Sequence, residues 1–194
     1  MSLGSGLEKP TDILWEVAVT AVPIERARVH HAGTAAGIGL VEHAADKLAR
    51  LAPHYDGVEF LRAIKSGELP APPIADLIGF DIREIAPGQV TFTLTPDLEH
   101  YNPIGTVHGG VAATLLDTAM GCAVQSLLPK GEGYTTLDLS VRYLRPMTRQ
   151  TGPVVATGSV VHRGRRTATA EGQVVDGNGK VLATATSTLM LVSA

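Results

Sequence analysis

From Gln89 the chain alternates. Gln89, Thr91, Thr93 and Thr95 are polar, and Val90, Phe92 and Leu94 between them are apolar. A period of two marks a half-buried strand. The preceding stretch, IGFDIREIA, reads as a second strand, joined to the first by a tight turn at Pro87-Gly88. Alternation returns in GYTTLDLSVRYLRP, where Leu137, Leu139, Val141 and Tyr143 interleave with Asp138, Ser140 and Arg142. Three more strand-like stretches follow: GPVVATGSVVHRG, RRTATAEGQVVD and KVLATATSTLMLV. The DGNG between the last two (Asp176 to Gly179) is a hairpin turn. Between the second and third strands the period changes. A mostly apolar run from about Val107 to Leu128 predicts one long buried helix. The order strand, strand, helix, four strands predicts an α+β fold in which an antiparallel sheet packs on a single long helix.

The first third of the chain differs. IERARVHHAGTAAGIGLVEHAADKLARLAPH and GVEFLRAIKSG are rich in helix formers and stop at Gly or Pro. ELPAPPI (Glu68 to Ile74) interrupts helix with three prolines and marks a boundary. We therefore divide the chain into an N-terminal, partly helical extension, residues 1–70, and a main domain, residues 71–194. The opening MSLGSG reads as disordered.

Composition narrows the function. With 194 residues, 44% hydrophobic, 18% charged and a net charge of -3, the chain is globular and lacks a general basic footprint for nucleic acid. A single cysteine, Cys122, excludes an internal disulfide framework and fits a reducing, cytoplasmic setting. Asp117 and Gln125 break the longest apolar run, so no membrane span is predicted, and no secretory leader is visible.

The chemistry concentrates in YNPIGTVHGGVAATLLDTAMG, Tyr101 to Gly121. Gly109 and Gly110 open the helix. A helix N-terminus presents unpaired backbone N–H groups and about half a positive charge, and glycine leaves them open to a ligand oxygen. That is a candidate oxyanion site. Asp117 lies among Leu115, Leu116 and Met120, in a helix with no other charge from Val111 to Leu128. A carboxylate so placed costs several kcal/mol unless it is paired or used. His108 and Asp117 are nine residues apart, roughly 13 Å along a helix axis and on opposite faces. One chain cannot aim both at one carbonyl, but a two-fold dimer can.

The pattern Asn102, His108-Gly109-Gly110, Asp117, followed by TTLDLSVRYLRP and VVHRGRRTATAEGQVVDGNGKVLATAT, resembles the PaaI-like acyl-CoA thioesterases of the phenylacetate-degradation type. The resemblance runs from about Ile74 to the C-terminus. It implies a hotdog fold, with the sheet wrapped around the central helix. It implies hydrolysis of an acyl-CoA to free acid and coenzyme A, with no cofactor and no metal. The expected assembly is a homodimer or a dimer of dimers, with active sites at the subunit interface. By resemblance, the Gly109 amide holds the thioester carbonyl and His108 orients the groups around it. Asn102 places the carbonyl or the attacking water. Asp117, from the other subunit, serves as general base or nucleophile, and a strand hydroxyl completes the site. That hydroxyl is Thr136, with Thr135 the alternate if the register slips by one.

Arg163, Arg165 and Arg166 in HRGRRT are candidate contacts for coenzyme A phosphates, a role that guanidinium groups suit. His162 reads as structural. His30, His31, His43 and His54 show no metal-ligand spacing. GTAAGIG lacks the strand and βαβ unit of a dinucleotide site, and no G-x-S-x-G occurs. Cys122 reads as core. Two other functions remain: a non-catalytic acyl-CoA-binding protein, which could dispense with Asp117, and a hotdog hydratase, whose Asp and His are ordered differently.

Overall fold

The structure, a computed structural model, describes residues 43–193. MSLGSG, His30, His31, GTAAGIG and the helix expected before residue 43 lie outside the described residues. The predicted strands are all present: β1 (Phe80–Ala86), β2 (Gln89–Leu94), β3 (Glu132–Tyr143), β4 (Val154–Arg163), β5 (Thr167–Val175) and β6 (Val181–Ser193). They form one antiparallel sheet in the order β1-β2-β4-β5-β6-β3, so β3 is a terminal strand. At the β1–β2 turn Gly88 has φ +78°, which glycine adopts without strain, and its N–H donates to Ser126 Oγ at 2.8 Å.

Among the described residues three α-helices precede the sheet: α1 (Ala44–Leu51), α2 (Gly57–Ser66) and α3 (Pro73–Ile78). The predicted long helix is α4, Gly109–Gln125. Leu115, Leu116, Ala119, Met120, Ala123 and Val124 are all fully buried, and the helix packs against β2, β3, β4, β5 and β6. Its closest approach to the sheet falls at two glycines that pair in register, Gly158 of β4 and Gly172 of β5. A Cβ on Gly158 would lie 2.3 Å from the Ala119 carbonyl, and one on Gly172 would lie 3.1 Å from Leu116 Cδ2. The sheet curves around a helix that rests on bare backbone.

The alternation read in β3 is interrupted. The β3–β6 register shifts between Thr136 and Asp138. This bulge adds a residue and reverses the facing of the first half of the strand. Leu137, expected to face inward, is 55% exposed as a result. Tyr134 and Thr136 turn toward α4 together with Leu139 and Val141, which pack on the core.

The described part of the extension, residues 43–70, is packed onto the main domain. The Gly57 N–H, first of α2, donates to the Leu128 carbonyl at 2.9 Å, and a Cβ on Gly57 would sit 1.7 Å from the Gln125 carbonyl oxygen. Leu61 joins the main core, while Leu48, Ala63 and Leu69 form a small cluster with Tyr55 and Phe60. α2 ends at Gly67, the predicted break follows, and the last of its prolines, Pro73, opens α3, where proline is tolerated. No helix among the described residues is long and apolar enough to cross a membrane.

The glycine seat makes a direct prediction. Gly158→Ala should lower stability by about 3 kcal/mol or more, because the colliding atom is backbone and cannot swing aside. Gly177→Ala, with open space around it, should change stability by no more than about 0.5 kcal/mol. Denaturant midpoints of the two variants check the contrast.

Candidate active site

The loop before α4 is folded by its own side chains. Asn102 Oδ1 accepts from the Ile104 and Thr106 N–H groups at 3.1 and 3.3 Å, and its Nδ2 donates to Thr106 Oγ1 at 3.1 Å. The His108 N–H donates to the His100 carbonyl at 2.7 Å. His100 is pinned in turn: its Nδ1 accepts from the Asp97 N–H, which leaves Nε2 to donate to the Ile78 carbonyl at 2.9 Å.

His108 is the N-cap of α4, and its Nδ1 accepts from the Gly110 N–H at 2.8 Å. A neutral ring accepting at Nδ1 carries its proton on Nε2. The His108 carbonyl takes the Val111 N–H. Two of the first helical amides are thus spent, and the Gly109 N–H alone of the three has no acceptor among the described residues. Beside it, Tyr143 Oη donates to the Gly109 carbonyl at 3.0 Å, and the Tyr143 ring would lie 3.1 Å from a Gly109 Cβ. Asn102, Gly109, Tyr143, Arg145, Met147 and Leu182 help line a cavity of about 290 Å³ at this helix end.

Asp117 is half-buried on the outward side of α4. Thr136 Oγ1 donates to its Oδ1 at 3.0 Å. Thr136 is thus the threonine bonded to Asp117, and the neighbouring Thr135 is exposed. The β3 bulge brings this about. Asp117 makes no salt bridge among the described residues. Its charge acts on two neighbours. Burial, and then the Asp117 carboxylate, push the Cys122 thiol up to about 12. Burial first, then Cys122 and Asp117, push the Tyr134 hydroxyl well above the usual tyrosine range. Tyr134 covers Gly121, where a Cβ would lie 2.2 Å from its hydroxyl oxygen.

The single chain brings Asp117 to Thr136, and Asn102, His108 and Gly109 to one another, but it does not join the two groups. Gly109 and Asp117 share one unbroken helix, about 12 Å apart along its axis. Gly110 shapes the helix start, but its amide is occupied by His108. Of the arginines, Arg163 is bonded to Glu132 at 2.7 Å. Arg165 and Arg166 are exposed on the β4–β5 turn, and His162 is exposed nearby. The described residues hold no group of three or more His, Cys, Asp or Glu side chains able to bind a metal ion, and His43 caps α1 instead. Sequence reasoning missed Tyr143, which it counted as an ordinary inward strand residue, and also Tyr134 and His100. No local signal points to the two tyrosines, because each meets its helix glycine only in the folded chain.

Residues 104–183 match the thioesterase superfamily. A provisionally named esterase of Halobacterium salinarum is 38% identical over 107 residues, which make up 53% of this chain and 69% of that protein. The chain belongs to the PaaI-like hotdog thioesterases. Human acyl-coenzyme A thioesterase 13 is 32% identical over 80 residues, 41% of this chain and 56% of that relative, so the chain spans little more than half of its length. Among solved structures, a phenylacetic acid degradation-related protein from Ralstonia eutropha is 30% identical with a TM-score of 0.62, over 67% of this chain and 98% of that one. The thioesterase fold thus accounts for the main domain.

Cys122 gives a test of the packing around Asp117. With its thiol held near 12, it should react with a disulfide reagent at pH 8 about a thousandfold more slowly than free cysteine, since only the thiolate attacks. Denaturant should restore the ordinary rate. Fast labelling of the folded protein would show that the cluster of Asp117, Tyr134 and Cys122 is open.

Proposed function

We propose that the protein hydrolyses an acyl-CoA thioester to free acid and coenzyme A, in sites shared by the two subunits of a dimer. The observation that carries this reading is the bond from Thr136 to Asp117, which sets a carboxylate without a counter-charge beside the terminal strand of the sheet. A terminal strand has unpaired backbone groups along one side and can accept a second copy. A two-fold partner would bring its own Gly109 amide and His108 toward Asp117. A dimer of dimers would preserve the same sites. The human relative's name supplies the coenzyme A ester as the substrate class.

The thioester carbonyl oxygen points at the Gly109 N–H of one chain. Tyr143, bonded to the carbonyl of that residue, holds the first turn in place. Asn102 and His108 set the loop from which this turn begins. Asp117 of the other chain takes a proton from water, and the hydroxide attacks the carbonyl carbon. Thr136 holds Oδ1, leaving Oδ2 for the water. Negative charge then develops on the oxygen at the helix N-terminus, where a fixed donor is worth most. Collapse breaks the C–S bond and releases coenzyme A, whose thiolate takes up the proton. No cofactor or metal enters this scheme. Arg165 and Arg166 are the open guanidinium groups for the coenzyme A phosphates. The lone cysteine agrees with a cytoplasmic setting.

Asp117→Asn should reduce kcat by about a hundredfold or more and leave coenzyme A binding close to wild type. Mixed refolding tests the shared site. His108→Ala and Asp117→Ala proteins, each inactive alone, should together recover about a quarter of wild-type activity. Half of the dimers are then mixed, and each of these has one intact site. A mixture that forms mixed dimers and stays inactive places both residues in one chain's site and rejects the scheme.

A further inference from the structure

A second cavity, also about 290 Å³, lies between α2 of the extension and the main domain. Leu61 and Ile64 of α2, Ile74 of α3, Phe80 of β1, Phe92 of β2 and Cys122 of α4 form its apolar walls. Lys65 and Asp81 border it but are exposed, and the Lys65 ammonium donates to the Arg83 carbonyl. The cavity is open to solvent at its rim, where Ile74 is exposed, and its apolar walls suit an apolar ligand.

The cavity reaches α4 near the candidate base. Thr118, next in the chain after Asp117, also lines it. Cys122 stands in its wall on the same side of α4 as Thr118, one turn further along, and the Cys122 thiol feels the Asp117 charge. The cavity at Gly109 is a separate one, lined by none of these residues.

We infer that this cavity receives the acyl group of the thioester, and that the N-terminal extension supplies the wall that selects it. The ligand class is an uncharged, apolar acyl group of medium size. At about 30 Å³ for each water-sized group, the space holds on the order of ten such groups. Its walls are chiefly apolar, so a hydroxylated acyl group is disfavoured. The inference rests on the thioesterase reading for its substrate. It also gives the extension a role in specificity. α4 provides the base, and α2 of the extension, together with α3 at the start of the main domain, sets the length of chain accepted.

The test uses the full-length protein and a series of straight-chain acyl-CoAs from acetyl to dodecanoyl. Ile74 is 44% exposed, so Ile74→Trp can fill the cavity from its rim with little risk to folding. The ratio of kcat/KM for octanoyl-CoA to that for acetyl-CoA should fall at least tenfold. Ile64→Ala enlarges the space and should raise the dodecanoyl to octanoyl ratio at least threefold. Ratios within twofold of wild type in folded variants overturn the inference, and if one variant does not fold the other decides. Binding of octyl-CoA, a thioether that cannot be hydrolysed, separates this inference from the thioesterase reading. Wild-type protein should bind it at least tenfold more tightly than coenzyme A, and Ile74→Trp should lose that preference. If no acyl-CoA is hydrolysed but the preference behaves in this way, the catalytic reading falls and the acyl cavity stands. If hydrolysis occurs and neither the ratios nor the preference moves, the acyl cavity falls and the catalytic reading stands.

Discussion

At Gly158 the backbone of α4 lies against the backbone of β4 with no side chain between them. Helices usually pack on sheets through a layer of side chains. Here Gly158 and the paired Gly172 remove part of that layer, and the helix sinks into the curve of the sheet. Because the strands curl around it, one side of the helix is buried without a break, from Val111 through Val124. The residues left outward, including Asp117, Thr118 and Cys122, are those with chemistry to offer. Asp117, Gly109 and Thr136 are placed by that seating, on the outward side of the helix, at its open end, and on the strand that flanks it.

The flanking strand adds a second constraint. In an uninterrupted β3, Thr136 would face opposite to Leu139 and Val141. The bulge between Thr136 and Asp138 turns it to the same side, where it meets Asp117. Leu137 is pushed into solvent as a consequence. An exposed leucine and a partnered carboxylate thus have one cause, and a fold optimised for packing alone would show neither.

Much of the fold was legible because its signals are local. Threonines at every second position mark β2, the DGNG turn joins β5 to β6, and an apolar run under a glycine pair marks α4. The thioesterase resemblance was legible for the same reason, being carried by spacings within one stretch. What escaped depended on distant partners. Glu132 claims Arg163 across 31 positions, and no pattern around either residue announces it. Tyr143 reaches Gly109 across 34 positions. The bulge was invisible because Leu137 continues the apolar alternation that the backbone breaks. His108 was read as a group near the oxyanion site. That its ring would consume the Gly110 amide could not be known without the N-cap geometry.

The docking of Gly57 on Leu128 has an electrostatic consequence. α2 begins where α4 has just ended, so the positive end of one peptide dipole meets the negative end of the other. At that junction the two partial charges offset each other. The opposite end of α4 has no such counterpart among the described residues. The field of the central helix is therefore quenched at the end buried under the extension and directed outward at the other, through the Gly109 amide. A segment far from that amide along the chain makes the helix one-sided as a source of potential.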